Sequence, residues 1–536
     1  MPKTTEIIAA ALKEAGVTHA FGIPGGEVLE LLDAFRRAGI EFVLTKQELG
    51  AGMMADAAFQ LTGKPGVLVA TLGPGITNTT TAVAQALLDR SAVVVLTGEI
   101  ATSLKGVYTH QIIDQEALMR PLVKWSTTVA PRGAFEQVRK ALTIALAPMP
   151  GPVHLNLPTD TAAAEQQEGT RFEPQQVVNV ASAQGLSTVR AWLEEAKRPL
   201  AFVGLGVQIG HAHTSLKQFL ETWRVPFVAT YKAKGVVPED HELCVGSTGL
   251  SPVVDKIHMA AIDEADLILT IGFDPVELRS DWMAPWNEKK RTVNIDLTPN
   301  THHVYRSAVE YTGSIGGCLD ALAASTPRVT ERWPRADLDA YRERIREAIA
   351  HDPARGLGPY RVVSTLREVF PRDTIATIDT GSHRILANHV WQSFEPRRLL
   401  QSNGLGSMGY ALPAAIAAKL LYRDRAVLAM MGEAGLDMVI GEMALLEKHR
   451  LALTICVLRD DTLSLIKLKQ ERMRLPETGV RTGSPDYALL ARAYGGHGVV
   501  VESADSLRKA AQDALEADRF TLIEARIDPS EYRRQM

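Results

Sequence analysis

Five short segments carry side chains that could do chemistry together. In Leu44-Thr45-Lys46-Gln47-Glu48 an acid sits where an apolar run gives way to a helical stretch. Open parallel sheets present ligand-binding residues at that end of a strand; taken alone, Glu48 also fits a helix-start acid stabilised by the helix dipole. Leu72-Gly73-Pro74-Gly75 occupies the same kind of position, and its glycines let backbone approach a flat ligand closely. Asp379-Thr380-Gly381-Ser382-His383 follows a further strand. Gly432-Glu433-Ala434-Gly435 and Leu458-Arg459-Asp460-Asp461-Thr462 then place Glu433 and Asp460 27 positions apart. Both offer the hard oxygen ligands that Mg²⁺ prefers, although two such segments alone would read as solvated loop carboxylates.

The elements that must hold these residues follow from hydrophobic patterning. Ile7, Ile8, Ala11 and Leu12 give a helix that stops at Gly16. Short apolar runs at 20–23, 42–44, 66–70 and 92–96 read as buried strands, separated by helical stretches at 50–61 and 77–88. The pattern recurs at 200–204, 226–229 and 267–271, and again at 374–378, 426–431 and 453–458. Continuous apolar strands alternating with helices imply parallel sheets covered on both faces. The expected fold is therefore α/β, with three doubly wound parallel-sheet domains at 1–165, 186–326 and 355–536. Polar stretches at 162–185 and 326–357 would join them. Gly204-x-Gly206-x-x-x-Gly210 departs from the dinucleotide fingerprint and reads as a tight strand-to-helix turn.

Composition narrows the partners. Hydrophobic residues make up 46% and charged ones 22%, with a formal net charge of -4, so neither nucleic acid nor an anionic membrane is expected. No apolar run approaches the roughly 20 residues that span a bilayer, and no signal-peptide core follows Met1, which makes the cytoplasm the expected location. Cys244, Cys318 and Cys456 are too scattered for a disulfide framework or a zinc site.

Together the Glu48 and Gly73-Pro74-Gly75 segments resemble the pyrimidine-binding domain of thiamine-diphosphate (ThDP) enzymes of the acetolactate synthase and 2-keto acid decarboxylase family. Gly22-Ile23-Pro24-Gly25-Gly26 is similar to that domain's opening loop, and Gln401-Ser402-Asn403-Gly404-Leu405-Gly406-Ser407-Met408-Gly409 to the segment around the aminopyrimidine. The resemblance runs from about residue 5 to residue 525. It implies that Glu48 bonds the pyrimidine nitrogen N1′ and relays a proton. It further implies cofactor contacts from Gly25, Gly26, Pro74, Gly406 and Met408, and a diphosphate held by Thr380, Gly381, Ser382 and His383. The family's Gly-Asp-Gly and asparagine pair become Glu433, Ala434, Gly435 and Asp460 here. Glu433, Asp460 and the Thr462 carbonyl would hold Mg²⁺, with Arg459 offsetting the added charge from an inward-pointing guanidinium.

The same resemblance places His110 and Gln111 at the catalytic site, where acetolactate synthases carry phenylalanine and glutamine. Leu465 and Ile466 match apolar pocket positions. Glu27 and Lys469 depart from a small apolar residue and a tryptophan, respectively, which counts against a housekeeping acetolactate synthase. The segment 271–279 matches the FAD-binding turn of relatives poorly, which argues against FAD. The implied activity is cleavage or formation of a carbon–carbon bond on a 2-keto acid or related acyl substrate, by decarboxylation or carboligation. The alternatives are a 2-hydroxyacyl-CoA lyase, another acyl transferase, or a catalytically weak homologue. A homodimer or homotetramer with active sites at the subunit interface is the implied assembly.

Overall fold

Why the chain folds as it does is clearest in strands such as Gly66–Ala70, Pro199–Val203 and Val427–Gly432, which are apolar almost throughout. In the computed structural model, which describes all residues except 131, 167–184, 325–331, 354–355 and 484, the strands form three six-stranded sheets in which every pairing is parallel. The first contains β1 (His19–Ile23), β2 (Glu41–Leu44), β3 (Gly66–Ala70), β4 (Val93–Glu99), β5 (Trp125–Thr128) and β6 (Val153–Pro158). The second contains β7 (Pro199–Val203), β8 (Phe227–Thr230), β9 (Cys244–Thr248), β10 (Leu267–Ile271), β11 (Arg291–Asp296) and β12 (Val309–Thr312). The third contains β13 (Ile375–Ile378), β14 (Leu399–Gln401), β15 (Val427–Gly432), β16 (Thr454–Arg459), β17 (His497–Val501) and β18 (Thr521–Arg526). Most of the expected linker at 162–185, and parts of that at 326–357, lie outside the described residues.

The first and third sheets share one topology. Their orders are β2-β1-β3-β4-β6-β5 and β14-β13-β15-β16-β18-β17, so the chain reverses direction between β1 and β3 and again between β13 and β15. The second sheet runs β12-β11-β10-β7-β8-β9, the doubly wound order with its reversal between β7 and β10. Ligands bind such sheets beyond the carboxyl ends of the strands at the reversal. The segments singled out above lie there: Gly25 and Gly26 after β1, Pro74 after β3, Thr380–His383 after β13, and Glu433–Gly435 after β15.

Five apolar clusters cover the sheet faces. One of them is common to the first and third units, joining Met53, Met54 and Ala57 to Ala411, Leu412 and Ala415. The helices Glu48–Thr62 and Ala411–Leu421 meet there, and runs of alanine on both sides let their axes approach closely. The helix that begins at Glu48 is thereby clamped between its own sheet and the third unit of the same chain.

Candidate active site

A cavity of about 150 Å³ lies at the reversal of the third sheet, lined by the ends of β13, β15 and β16. It brings together Thr380, Gly381, Ser382, His383, Met408, Glu433, Ala434, Gly435, Asp460, Thr462, Leu465 and Ile466, all of them residues that the sequence singles out. Buried against it, Thr380 Oγ1, Ser382 Oγ and His383 Nε2 have no hydrogen-bond partner among the described residues. Burial, and then Arg384 beside it, push His383 down to about 4, so its imidazole is neutral. Such atoms call for a partner, and the three residues that carry them line one cavity.

Asp379, quoted in the motif but given no role by the sequence reading, anchors this wall. Its carboxylate accepts hydrogen bonds from Thr380 N at 2.7 Å, Gly409 N at 3.0 Å and Tyr410 N at 3.3 Å. The loop that carries Met408 is thus tied to the loop that carries Ser382 and His383. Gly406 and Gly409 flank Met408 at φ +69 and +80, left-handed backbone that side chains rarely adopt. Burial pushes Asp379 up to about 6. A side chain at Gly435 would collide with this carboxylate.

Glu433 opens the helix Glu433–Val439, directly after β15. Its Oε1 accepts from Thr462 N at 3.0 Å and from Thr482 Oγ1 at 3.2 Å. Asp460 Oδ1 accepts from the same Thr462 N at 3.1 Å, and Ser464 Oγ donates to Asp460 Oδ2. One backbone N–H therefore bridges the two acids. Burial, and then the charge of Asp460, push Glu433 up to about 7, and burial likewise raises Asp460. Two carboxylates held this close in a dry pocket raise each other's pKa unless a cation joins them, so the donor set fits a hard divalent ion. The Thr462 carbonyl accepts from Ser464 N at 2.8 Å, and it is the Thr462 N–H that meets the acids.

Arg459 turns elsewhere. Its guanidinium bonds Glu524 at 2.8 Å and Asp461 at 2.9 Å, and the cation whose charge acts on Asp460 is Lys467. Tyr532, which lies beyond the span of the resemblance, also lines the cavity, and burial, followed by the charges of Asp460 and Glu433, raises its phenol.

No residue of the first unit lines this cavity. Glu48 lies instead at the end of the first sheet, 7% exposed, with Asn78 Nδ2 donating to its Oε2 at 3.2 Å. The start of its helix is gripped by Glu442, whose carboxylate accepts from Lys46 N at 3.0 Å and Gln47 N at 3.0 Å. Glu442 is a second residue that the sequence reading missed. It lies in the turn Ile440–Glu442, two elements away from any strand end, and nothing local marks it as a partner of residue 48. Burial pushes it up to about 7.

His110 and Gln111 belong to a stretch in which every residue from 102 to 114 is exposed. Gln111 folds over Gly73, where an added β-carbon would lie 2.8 Å from its Cβ. Glu27 turns towards Thr71, whose hydroxyl donates to it at 2.7 Å. Lys469 is exposed.

The class that this fold and site define is matched by the family profiles. "Thiamine pyrophosphate enzyme, N-terminal TPP binding domain" covers residues 2–118, the central domain 186–322, and the C-terminal TPP binding domain 379–525. "Acetolactate synthase" of Bacillus subtilis is 28% identical over 98% of this chain and 93% of its own length. "Acetolactate synthase isozyme 3 large subunit" of Escherichia coli is 28% identical over 98% of this chain and 95% of its own length. "Probable acetolactate synthase large subunit" of Methanocaldococcus jannaschii is 30% identical over 99% of this chain and 92% of its own length. The chain belongs to the thiamine-diphosphate enzymes, in the acetolactate synthase family.

Proposed function

We propose that this enzyme uses ThDP and Mg²⁺ to cleave or form the carbon–carbon bond beside the keto group of a 2-keto acid. The observation that carries the reading is the cavity of the third sheet, which collects Met408, two paired acids and three buried polar atoms without partners. ThDP, when bound, supplies a carbon acid that adds to carbonyls and an electron sink for the charge that develops. Thr380, Ser382 and His383 would hold its diphosphate, Glu433 and Asp460 its Mg²⁺, and Met408 its ring system. Glu48 would hold and move a proton at the ring nitrogen N1′. His110 and Gln111, exposed in one chain, would face the substrate.

Because Glu48 is absent from the third-sheet cavity of its own chain, we read the active site as shared by two chains, in a homodimer or a dimer of dimers. Apolar side chains are exposed on both half-sites, among them Val107 at 80%, Met438 at 54% and Met473 at 69%, and patches of this kind mark contact surfaces. We take the domains as 1–165, 186–326 and 355–536.

The middle sheet does not fit a dinucleotide. At the reversal between β7 and β10 a side chain at Gly204 would collide with the Gly272 carbonyl, and one at Gly206 would lie 2.6 Å from Gly272 Cα. Asp274 and Asp296 lie beyond, and burial pushes Asp296 up to about 7. Acids thus line the cleft beyond these strands, where a diphosphate would bind, and we propose that the enzyme works without FAD.

The test is ThDP–Mg²⁺ binding by calorimetry, followed by turnover of a panel of 2-keto acids and acyl-CoA substrates with product identification. Tight binding with turnover of a 2-keto acid is expected. Turnover of acyl-CoA substrates alone would move the enzyme to the lyases or acyl transferases, and binding without turnover of either class would mark a catalytically weak homologue.

A further inference from the structure

A second and larger cleft, of about 620 Å³, opens between the second and third units. Its walls come from β9, the helix Arg335–Ile349, and the helices Pro359–Val369 and Ser382–Val390. Most charges in it are already matched. Glu239 pairs with Lys234 at 2.6 Å, Glu368 with Arg508 at 2.6 Å, and Arg372 with Asp240 at 2.8 Å.

Arg367 is different. Its Nη2 donates to the carbonyls of Phe370 and Pro371, at 2.6 Å each, and no carboxylate pairs with it among the described residues. Its guanidinium lies 4.2 Å from the centre of the Trp391 ring and 5.5 Å from that of Phe394. Arg372 lies 3.5 Å from the centre of the same Phe394 ring. Burial, and then the charge of Arg372, push Arg367 down to about 10. Two guanidiniums on one ring, one of them touched by no carboxylate among the described residues and feeling Asp373 only from beyond hydrogen-bond distance, form a site that an anion would relieve.

A third donor points the same way. His389 lines the cleft, and its Nε2 lies 3.0 Å from the Tyr231 hydroxyl. That hydroxyl accepts from Leu250 N at 3.2 Å, and in the tautomer assigned here it gives its own proton to Nε2. Burial, followed by Lys234 and His258, holds His389 well below its ordinary range, so the ring is neutral and carries its proton on Nδ1. Nδ1 is buried and has no partner among the described residues.

We propose that this cleft binds a small phosphorylated molecule with a flat ring, a nucleotide in its chemistry. Arg367, Arg372 and His389 Nδ1 would meet the phosphates, and Tyr360 and Phe394 would flank the ring. The volume is in the range of small-molecule sites, about 300–1,000 Å³, and guanidinium pairs suit phosphate oxygens. The position also suggests the consequence of binding. His389 and Val390 end a 9-residue helix whose first residues, Ser382 and His383, line the cofactor cavity. At about 1.5 Å per residue the two sites are roughly 9–12 Å apart along one rigid element, so the occupant is an effector of the cofactor site.

The experiment is calorimetric titration of the holoenzyme, saturated with ThDP and Mg²⁺, using ADP, inorganic pyrophosphate and adenosine as separate probes. ADP should bind once per chain, pyrophosphate more weakly, and adenosine not at all. Arg372→Gln, a surface change, should weaken ADP at least tenfold while ThDP affinity stays unchanged. Arg367→Lys should retain more ADP affinity than Arg367→Gln. Absence of ADP binding up to millimolar concentration overturns the proposal, as does ADP affinity that Arg372→Gln leaves unchanged. Pyrophosphate binding as tightly as ADP overturns the role given to the ring. Should Arg367→Gln fail to fold, Arg372→Gln decides alone.

Discussion

Glu442 offers the sharpest test of how the catalytic helix is held. Its carboxyl, 1% exposed, titrates near 7 in the folded protein against an ordinary 4.5. The folded state therefore binds an extra proton across that interval. The stability this contributes is fully present below pH 4.5 and is lost as pH rises through 7. At about 1.4 kcal/mol for each pH unit, the difference amounts to about 3 kcal/mol from this one group. Glu442→Gln keeps an oxygen to accept from Lys46 and Gln47 and removes the titration. Thermal midpoints of wild type and variant, measured at one scan rate from pH 5 to 8, should converge in acid and separate in base, with the wild type falling more steeply. Asp379 and Glu433 add slopes of the same sign to both proteins, so the difference between the two curves is the quantity to read. Parallel curves would refute the assignment of a buried, largely protonated Glu442. Glu442→Ala is expected to do more damage, because two backbone donors lose their acceptor at about 1–3 kcal/mol each. Its kcat should fall on the order of tenfold, since Glu48 starts the helix being released.

Three further outcomes follow from the site. Glu48→Gln should bind ThDP within severalfold of wild type and lose roughly 10² or more in rate; unchanged hydrogen–deuterium exchange at the cofactor's C2 would falsify the relay. Glu433→Ala with Asp460→Ala should abolish Mg²⁺-dependent ThDP binding in calorimetry, and wild-type affinity in that protein would place the ligands elsewhere. Because Mg²⁺ must displace the proton that Glu433 holds below about pH 7, metal affinity should rise about tenfold between pH 6 and 8, and Glu433→Asp should flatten that rise if its shorter acid titrates lower.

Much of this architecture was legible in the sequence because it rests on local signals. Runs such as Gly66-Val67-Leu68-Val69-Ala70 are apolar at every position, as only a strand buried on both faces requires, and the loops after them carry the glycines and acids of the site. Strands with mixed composition escaped notice, among them β5 (Trp125–Thr128), half-buried throughout, β12 (Val309–Thr312), which alternates half-buried with exposed residues, and β6 (Val153–Pro158) and β18 (Thr521–Arg526), which bury polar residues among the apolar ones. Glu442 and Tyr532 escaped for another reason. Each works through a contact made across a long stretch of chain, Glu442 with Lys46 and Tyr532 with the acids after β15 and β16, and spacing along the chain carries no trace of such a meeting. Arg459 shows the converse error, since adjacency to Asp460 suggested a partnership that the strand's alternation of side chains sends instead to Glu524.

The seam at Gly204, Gly206 and Gly272 constrains how this protein could change. Where a pocket is blocked by side chains, substitution to smaller residues reopens it. Here main chain lies directly against main chain, so there is no smaller residue to turn to, and every exchange at these three positions adds atoms to a full contact. A descendant that carried a side chain at one of them would need an insertion or deletion in one of the two turns. Point mutation can retune the loops beyond this seam and leave the seam itself unchanged.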